Sequence, residues 1–257
     1  MTAPSNPFKA ILQSGQKSIG LWMGLCDPYA AEIVGRAGFD WVLIDGEHAP
    51  NDLRSIVGQL QVAEPHVASI VRPPMAEPWL MKQLLDAGVQ SFLIPMVNTA
   101  EEARAVVAAT RYPPDGIRGV GHVLGRASYF GAVPDYIATA ADEICIIVQI
   151  ESRAAVENLE EILAVDGVDA AFVGPADLAA DCGFAKDMNA PEMQALVAET
   201  LGRIKAYGKP AGIIDFPDDA IDGHFENGAQ FVAVGADLVM MAAMLRELAS
   251  KWKGRIS

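Results

Sequence analysis

The chain has 257 residues, 51% of them hydrophobic, and a formal net charge of −14. That length can enclose a large core, as one α/β barrel or as two smaller domains. The acidity excludes a phosphate-backbone partner, which needs a basic stripe. An anionic substrate would have to be held by local cations, an arginine or a metal.

Strand-like and helix-like stretches alternate along the chain. The N-terminus, MTAPSNPFKAILQSGQK, has no continuous apolar segment ending in a cleavage site, so no signal peptide is expected. Apolar runs bounded by turn signals predict strands at 18–24, 41–45, 67–72, 91–95, 144–151, 170–174, 210–215 and 231–235. Amphipathic patterns between them predict helices, several opened by a cap or an acidic first turn and closed by glycine. Among them are PWLMKQLLDAG, SRAAVENLEEILAV and, after the last strand, ADLVMMAAMLRELASKW.

Eight strands each followed by a helix, in about 250 residues, is the count of a (β/α)8 TIM barrel. A doubly wound sheet is the alternative, but the Gly-rich phosphate turn expected after its first strand is absent. One barrel domain over 1–257 is therefore expected. The Gly- and Pro-rich stretch at about 111–136 breaks the rhythm, and loops of that length are usually functional or disordered. Arg118, Arg126, His122 and its aromatics suggest a structured flap or a subunit contact. No apolar run reaches a membrane span. Cys26, Cys145 and Cys182 have no metal spacing, and reduced thiols in a cytoplasmic protein are expected.

Barrels keep their chemistry at the carboxyl ends of strands. The second strand stops at Asp45-Gly46-Glu47-His48, and the third ends in Arg72. The fifth ends in Gln149 and Glu151, and the sixth leads through Gly174-Pro175-Ala176 to Asp177. Glu151 and Asp177, from adjacent strands, suit a hard divalent cation with open positions for substrate and water. Each residue also has a plainer role. Asp177 could be a helix N-cap, as the echo at Asp237 suggests, and Glu151 could pair with Arg153 or Arg72. Arg72 could be a structural arginine, but Arg72-Pro73-Pro74 fixes the backbone where the side chain would enter the mouth. His48 could be a capping histidine, although Asp45 would fix its tautomer and raise its basicity. Trp22 is expected near the end of the first strand, chiefly as core. No lysine stands close at a strand end, which argues against imine chemistry and for a metal-assisted enolate.

DGEHAPND (45–52), VRPP (71–74), LLDAGVQSFLIPMVNTAEEA (84–103), YPPDGIRGVG (112–121), VQIES (148–152) and VGPADL (173–178) together resemble the HpcH/HpaI family of class II pyruvate aldolases. The motifs run in order over nearly the whole chain. The resemblance implies a (β/α)8 barrel assembled as a homohexamer, a trimer of dimers that exchange the last helix. It implies a divalent metal (Mg²⁺, Mn²⁺ or Co²⁺) on Glu151 and Asp177, no organic cofactor, and pyruvate chelating that metal. Arg72 would touch the keto oxygen, and the backbone at Gly174, Ala176 and Asp177 would receive the carboxylate. Gln149 and Trp22 would lie nearby, His48 oriented by Asp45 would be the base, and Asp86 would reach the neighbouring subunit's site. The implied reaction is reversible cleavage of a 4-hydroxy-2-oxo acid to pyruvate and an aldehyde, as in aromatic compound catabolism. The rivals are an acyl-CoA lyase of a related barrel, a decarboxylase using the same enolate, and an inactive metabolite-binding protein. Against the acyl-CoA lyase stand the lack of an extra C-terminal domain and the scarcity of basic surface for CoA phosphates.

Overall fold

A computed structural model describes residues 1–256. Its strands are β1 (Ser18–Met23), β2 (Trp41–Asp45), β3 (Ala68–Arg72) and β4 (Ser91–Ile94), followed by β5 (Cys145–Ile150), β6 (Ala170–Val173), β7 (Ala211–Ile214) and β8 (Ala229–Ala236). They pair in sequence order, all parallel, and β8 closes on β1. All eight expected strands are present, and the closed order excludes the doubly wound sheet. The largest boundary difference is at β8, which begins at Ala229, because Ala211 of β7 pairs with it there.

Two apolar layers hold this barrel. Alternate residues of the strands, among them Trp22, Trp41, Ile70, Ile147, Phe172 and Phe231, fill the interior. Their neighbours in the strands face the surrounding helices and form the larger outer layer. Both layers being buried is why each strand reads as a continuous apolar run. Large rings need space opposite them. A Cβ on Gly20 would stand 2.2 Å from the Trp41 ring, and one on Gly212 would stand 2.3 Å from Phe231.

A helix at Pro7–Ser14 was not expected from the sequence. Asn6 caps it, accepting from Lys9 N at 3.0 Å, and Pro7 opens its first turn. The helix drives Phe8 into the amino-terminal end of the barrel, 5.8 Å from the Trp41 ring and 5.6 Å from that of Phe231. Burying such a ring contributes about 2–3 kcal/mol. With that end plugged, ligands are left the opposite end.

Each strand is followed by at least one of the expected helices. SRAAVENLEEILAV forms two short ones, Arg153–Glu157 and Leu159–Leu163, broken at Asn158, whose side chain turns to the Asn98 carbonyl at 2.9 Å. The long connection carries single turns at His122–Leu124 and Arg126–Ser128. Its Arg118 is buried, lies 4.4 Å from the Tyr112 ring centre and donates to Asp86 at 2.6 Å. The last helix, Asp237–Ile256, buries only Asp237. Among the described residues no helix is long and apolar enough to cross a membrane.

Candidate active site

The open end of the barrel gathers the charged residues. β2 and β3 are in register with Asp45 opposite Arg72. Arg72 therefore donates to Asp45 from Nε at 2.9 Å and from Nη2 at 2.7 Å. Asp45 also accepts from Trp22 Nε1 at 3.2 Å, while the guanidinium lies 4.8 Å from the Trp22 ring centre. Trp22 is thus both core and the floor of the site, its ring tilted against that of Phe172 with centres 5.7 Å apart. Burial raises the Asp45 carboxyl, but the hydrogen bonds and charge of Arg72 outweigh it and hold the group below its usual range.

β5 supplies the second group. Glu151 accepts from the backbone N–H of Met96 at 2.6 Å and from Gln149 Nε2. Met96 makes this contact from a left-handed backbone, φ 56°, just past β4. Gly174, at the end of β6, makes room: a Cβ there would stand 2.8 Å from both Gln149 Nε2 and Glu151 Oε2. Glu151 forms no ion pair with Arg153 or Arg72, so that alternative fails. Burial, followed by the charges of Glu47 and Asp177, pushes its pKa up to about 7, against the pull of Met96 and Arg72.

Asp177 is not an N-cap. Gly174 occupies that position of the helix Pro175–Asp181, and no described residue donates a hydrogen bond to the Asp177 side chain. Nor is Asp237 idle. Its carboxylate accepts from Gly24 N at 2.8 Å and Leu25 N at 3.3 Å, tying the exit of β1 to the last helix.

The expected contact between Asp45 and the His48 ring is absent. Asp45 is saturated by Arg72 and Trp22 and meets His48 only through its backbone N–H, at 3.4 Å. The imidazole is 66% exposed, and its nearest acid is Glu47, with Oε2 3.9 Å from Nε2. Glu47 also lies 2.8 Å from Arg72 Nη1. It joins the site although the sequence marked it only by its place in DGEH; Met96 gave no signal at all. Asp86 does not join. It ends the helix Pro78–Ala87, which returns toward the amino ends of the strands, and there it pairs with Arg118.

The donor set fits a hard cation. Asp177 lies close enough to Glu151 and Glu47 for its charge to act on both, no described residue ties up its carboxylate, and Gln149 Oε1 is buried with no partner. Among the described residues no three His, Cys, Asp or Glu side chains are grouped to enclose an ion. Two carboxylates with open positions are the arrangement that hard divalent cations accept.

Residues 18–243 match the HpcH/HpaI aldolase/citrate lyase family. A hydroxypyruvate/pyruvate aldolase of Roseovarius nubinhibens is 54% identical over 254 residues, 98% of this chain and 99% of that one. A 4-hydroxy-2-oxo-heptane-1,7-dioate aldolase of Escherichia coli is 48% identical over 248 residues, 96% of this chain and 95% of its own. A solved HpcH/HpaI aldolase/citrate lyase family protein from Burkholderia cenocepacia superposes with a TM-score of 0.91 at 38% identity, covering 97% of this chain and 100% of that one. A closed barrel with acidic groups and one arginine at its open end, carried by a sequence this similar to named aldolases, belongs to the HpcH/HpaI aldolase/citrate lyase family of carbon–carbon lyases.

Proposed function

We propose that the chain is a divalent-cation-dependent aldolase. It would join a 2-oxo acid of the pyruvate or hydroxypyruvate type to an aldehyde and cleave the resulting 4-hydroxy-2-oxo acid. The observation that carries this is the placing of an arginine clamped by Asp45 and a buried Glu151 held by the Met96 N–H at one barrel mouth.

Glu151 and Asp177 would hold the cation (Mg²⁺, Mn²⁺ or Co²⁺), with no organic cofactor. When bound, it supplies Lewis acidity to the keto oxygen of the substrate. Arg72, fixed by Asp45 so that little reorganisation remains, stabilises negative charge as it develops on that oxygen. The backbone N–H groups of Ala176 and Asp177 lie in a first helical turn, where no intrahelical acceptor exists, and are free to take the substrate carboxylate. Gln149 keeps Glu151 in place and offers its unpartnered Oε1 to the same ligand shell. Trp22 floors the pocket. His48 is exposed and able to swing, and takes the proton from the 4-hydroxyl in cleavage or from the nucleophilic carbon in synthesis.

The exposed apolar face of the last helix, including Met241, Leu245, Leu248 and Trp252, supports exchange of that helix between copies in a homohexamer. Asp86, remote from its own mouth, would then serve a neighbour. The barrel forms one domain, and its free cysteines fit a cytoplasmic setting.

The test is aldol synthesis from pyruvate or hydroxypyruvate and a panel of aldehydes with Mn²⁺, read by product mass. Activity that survives exhaustive chelation, or trapping of the protein by borohydride and pyruvate, would refute the proposed chemistry.

A further inference from the structure

Glu47 stands beside Arg72 and is not one of the two carboxylates proposed to hold the cation. Its Oε2 touches Arg72 Nη1 at 2.8 Å, but the contact is out of line for a hydrogen bond, and this buried oxygen accepts none. His48 Nε2, at 3.9 Å, is too far to donate. The contrast with Asp45 is sharp. That carboxylate takes donors from Arg72 Nε and Nη2, Trp22 Nε1, and the backbone of Glu47 and His48. Glu47 is 18% exposed, and burial pushes its pKa up while Arg72 pulls it down. A largely buried carboxylate without donors lacks what normally offsets its desolvation.

The geometry of the nucleophile says which donor would fit. Arg72 receives the keto oxygen, and the reacting carbon is bonded directly to the keto carbon. With the keto oxygen on Arg72 as proposed above, a hydroxyl on that carbon held syn to the keto oxygen would lie beside the guanidinium, the side on which Glu47 stands 2.8 Å from Nη1. Pyruvate has no group to place there.

We propose that Glu47 is a specificity-determining residue that accepts a hydrogen bond from the hydroxyl of a 3-hydroxy-2-oxo acid, favouring hydroxypyruvate-type nucleophiles over pyruvate. The inference rests on the aldolase function proposed above.

The experiment compares kcat/KM for hydroxypyruvate and for pyruvate, with one aldehyde at a fixed saturating concentration, in the wild type, Glu47→Ala and Glu47→Gln. Mn²⁺ affinity is titrated on each protein without substrate. The ratio of the two nucleophiles is expected to fall tenfold or more in Glu47→Ala, the size of one charge-assisted hydrogen bond. It should fall less in Glu47→Gln, which keeps an acceptor and supplies the ratio should the alanine variant not fold. Equal losses with both nucleophiles would overturn the proposal and make Glu47 a support for Arg72. A loss of Mn²⁺ affinity as large as that of Glu151→Gln would overturn it in favour of cation ligation. A wild type inactive with both nucleophiles would instead overturn the aldolase function itself.

Discussion

Asp45 and Arg72 are register partners on adjacent strands, and their side chains lock through two hydrogen bonds of 2.9 and 2.7 Å in a buried setting. Removing one member of such a pair leaves a buried charge uncompensated, at a cost of about 3–5 kcal/mol. Asp45→Ala is therefore expected to lower unfolding free energy by roughly 3 kcal/mol in urea titrations. Because the Asp45 carboxyl is held below its usual value, its contribution is present above the unfolded pKa and is lost as pH falls through the folded one. A loss below 1 kcal/mol would mean that Glu47 takes over the guanidinium.

Glu151 gives the opposite pH dependence. Its pKa is raised from 4.5 to about 7, so the metal-free fold binds a proton that the unfolded chain has released. Stability from this group is greatest below the unfolded pKa and falls as pH rises from 4.5 through about 7. The full loss is roughly 3 kcal/mol. Thermal melts of chelator-treated protein should decline across that window, and Glu151→Gln should remove the decline. Saturating Mn²⁺ should remove it as well, by neutralising the carboxylate. A melt curve flat from pH 5 to 8 in metal-free protein would contradict the shift.

The strands were legible in the sequence because both their faces are buried, and the strand-end acids were legible because barrel chemistry sits there. What was not legible is where side chains point. Asp45 and His48 are three residues apart, which suggested a dyad, but cross-strand register gives Asp45 to Arg72 instead. Met96 could not have been found, since nothing in Pro95-Met96-Val97 announces a left-handed residue aiming its N–H at Glu151. The Pro7–Ser14 plug did leave a signal, an Asn6 cap followed by proline, but its first turn carries no acid and the helix is only 8 residues long. Asp237 resembled Asp177 in its local sequence, yet one tethers β1 through Gly24 and the other is left free at the mouth.

Gly174→Ala tests the packing around Glu151. The added methyl would stand 2.8 Å from Gln149 Nε2 and Glu151 Oε2 and 3.0 Å from Glu151 Cβ, closer than real Cβ contacts allow. Glu151 must shift, and Mn²⁺ affinity should fall by about tenfold or more, the usual size of a disturbed ligand shell. Calorimetric titration reads this directly. Unchanged affinity would mean that Glu151 does not hold the cation in the position described.

His48→Ala separates binding from proton transfer. The imidazole is 66% exposed and makes no contact to Glu151 or Asp177, so Mn²⁺ affinity and melting temperature should stay at wild-type values. Turnover should fall by about 10²–10⁴, the range of a positioned acid–base group. A variant with near-normal turnover would transfer the proton role to another group.

The last helix is the part of the chain whose sequence and burial disagree most. Met241, Leu245, Leu248 and Trp252 are each about half exposed, on a helix that buries only Asp237. At spacings of three and four residues they form one apolar stripe, a pattern that a lone chain would leave in water. If copies exchange this helix, placing charge on the stripe should break the assembly while sparing the barrel, since the stripe lies outside both barrel layers. Leu245→Glu combined with Leu248→Glu is expected to shift sedimentation from a hexamer to smaller species, with the circular dichroism of the barrel retained. Turnover per chain should fall together with the mass, because Asp86 would lose the neighbour it serves. A wild-type chain that sediments as a monomer at micromolar concentration would rule out the exchange.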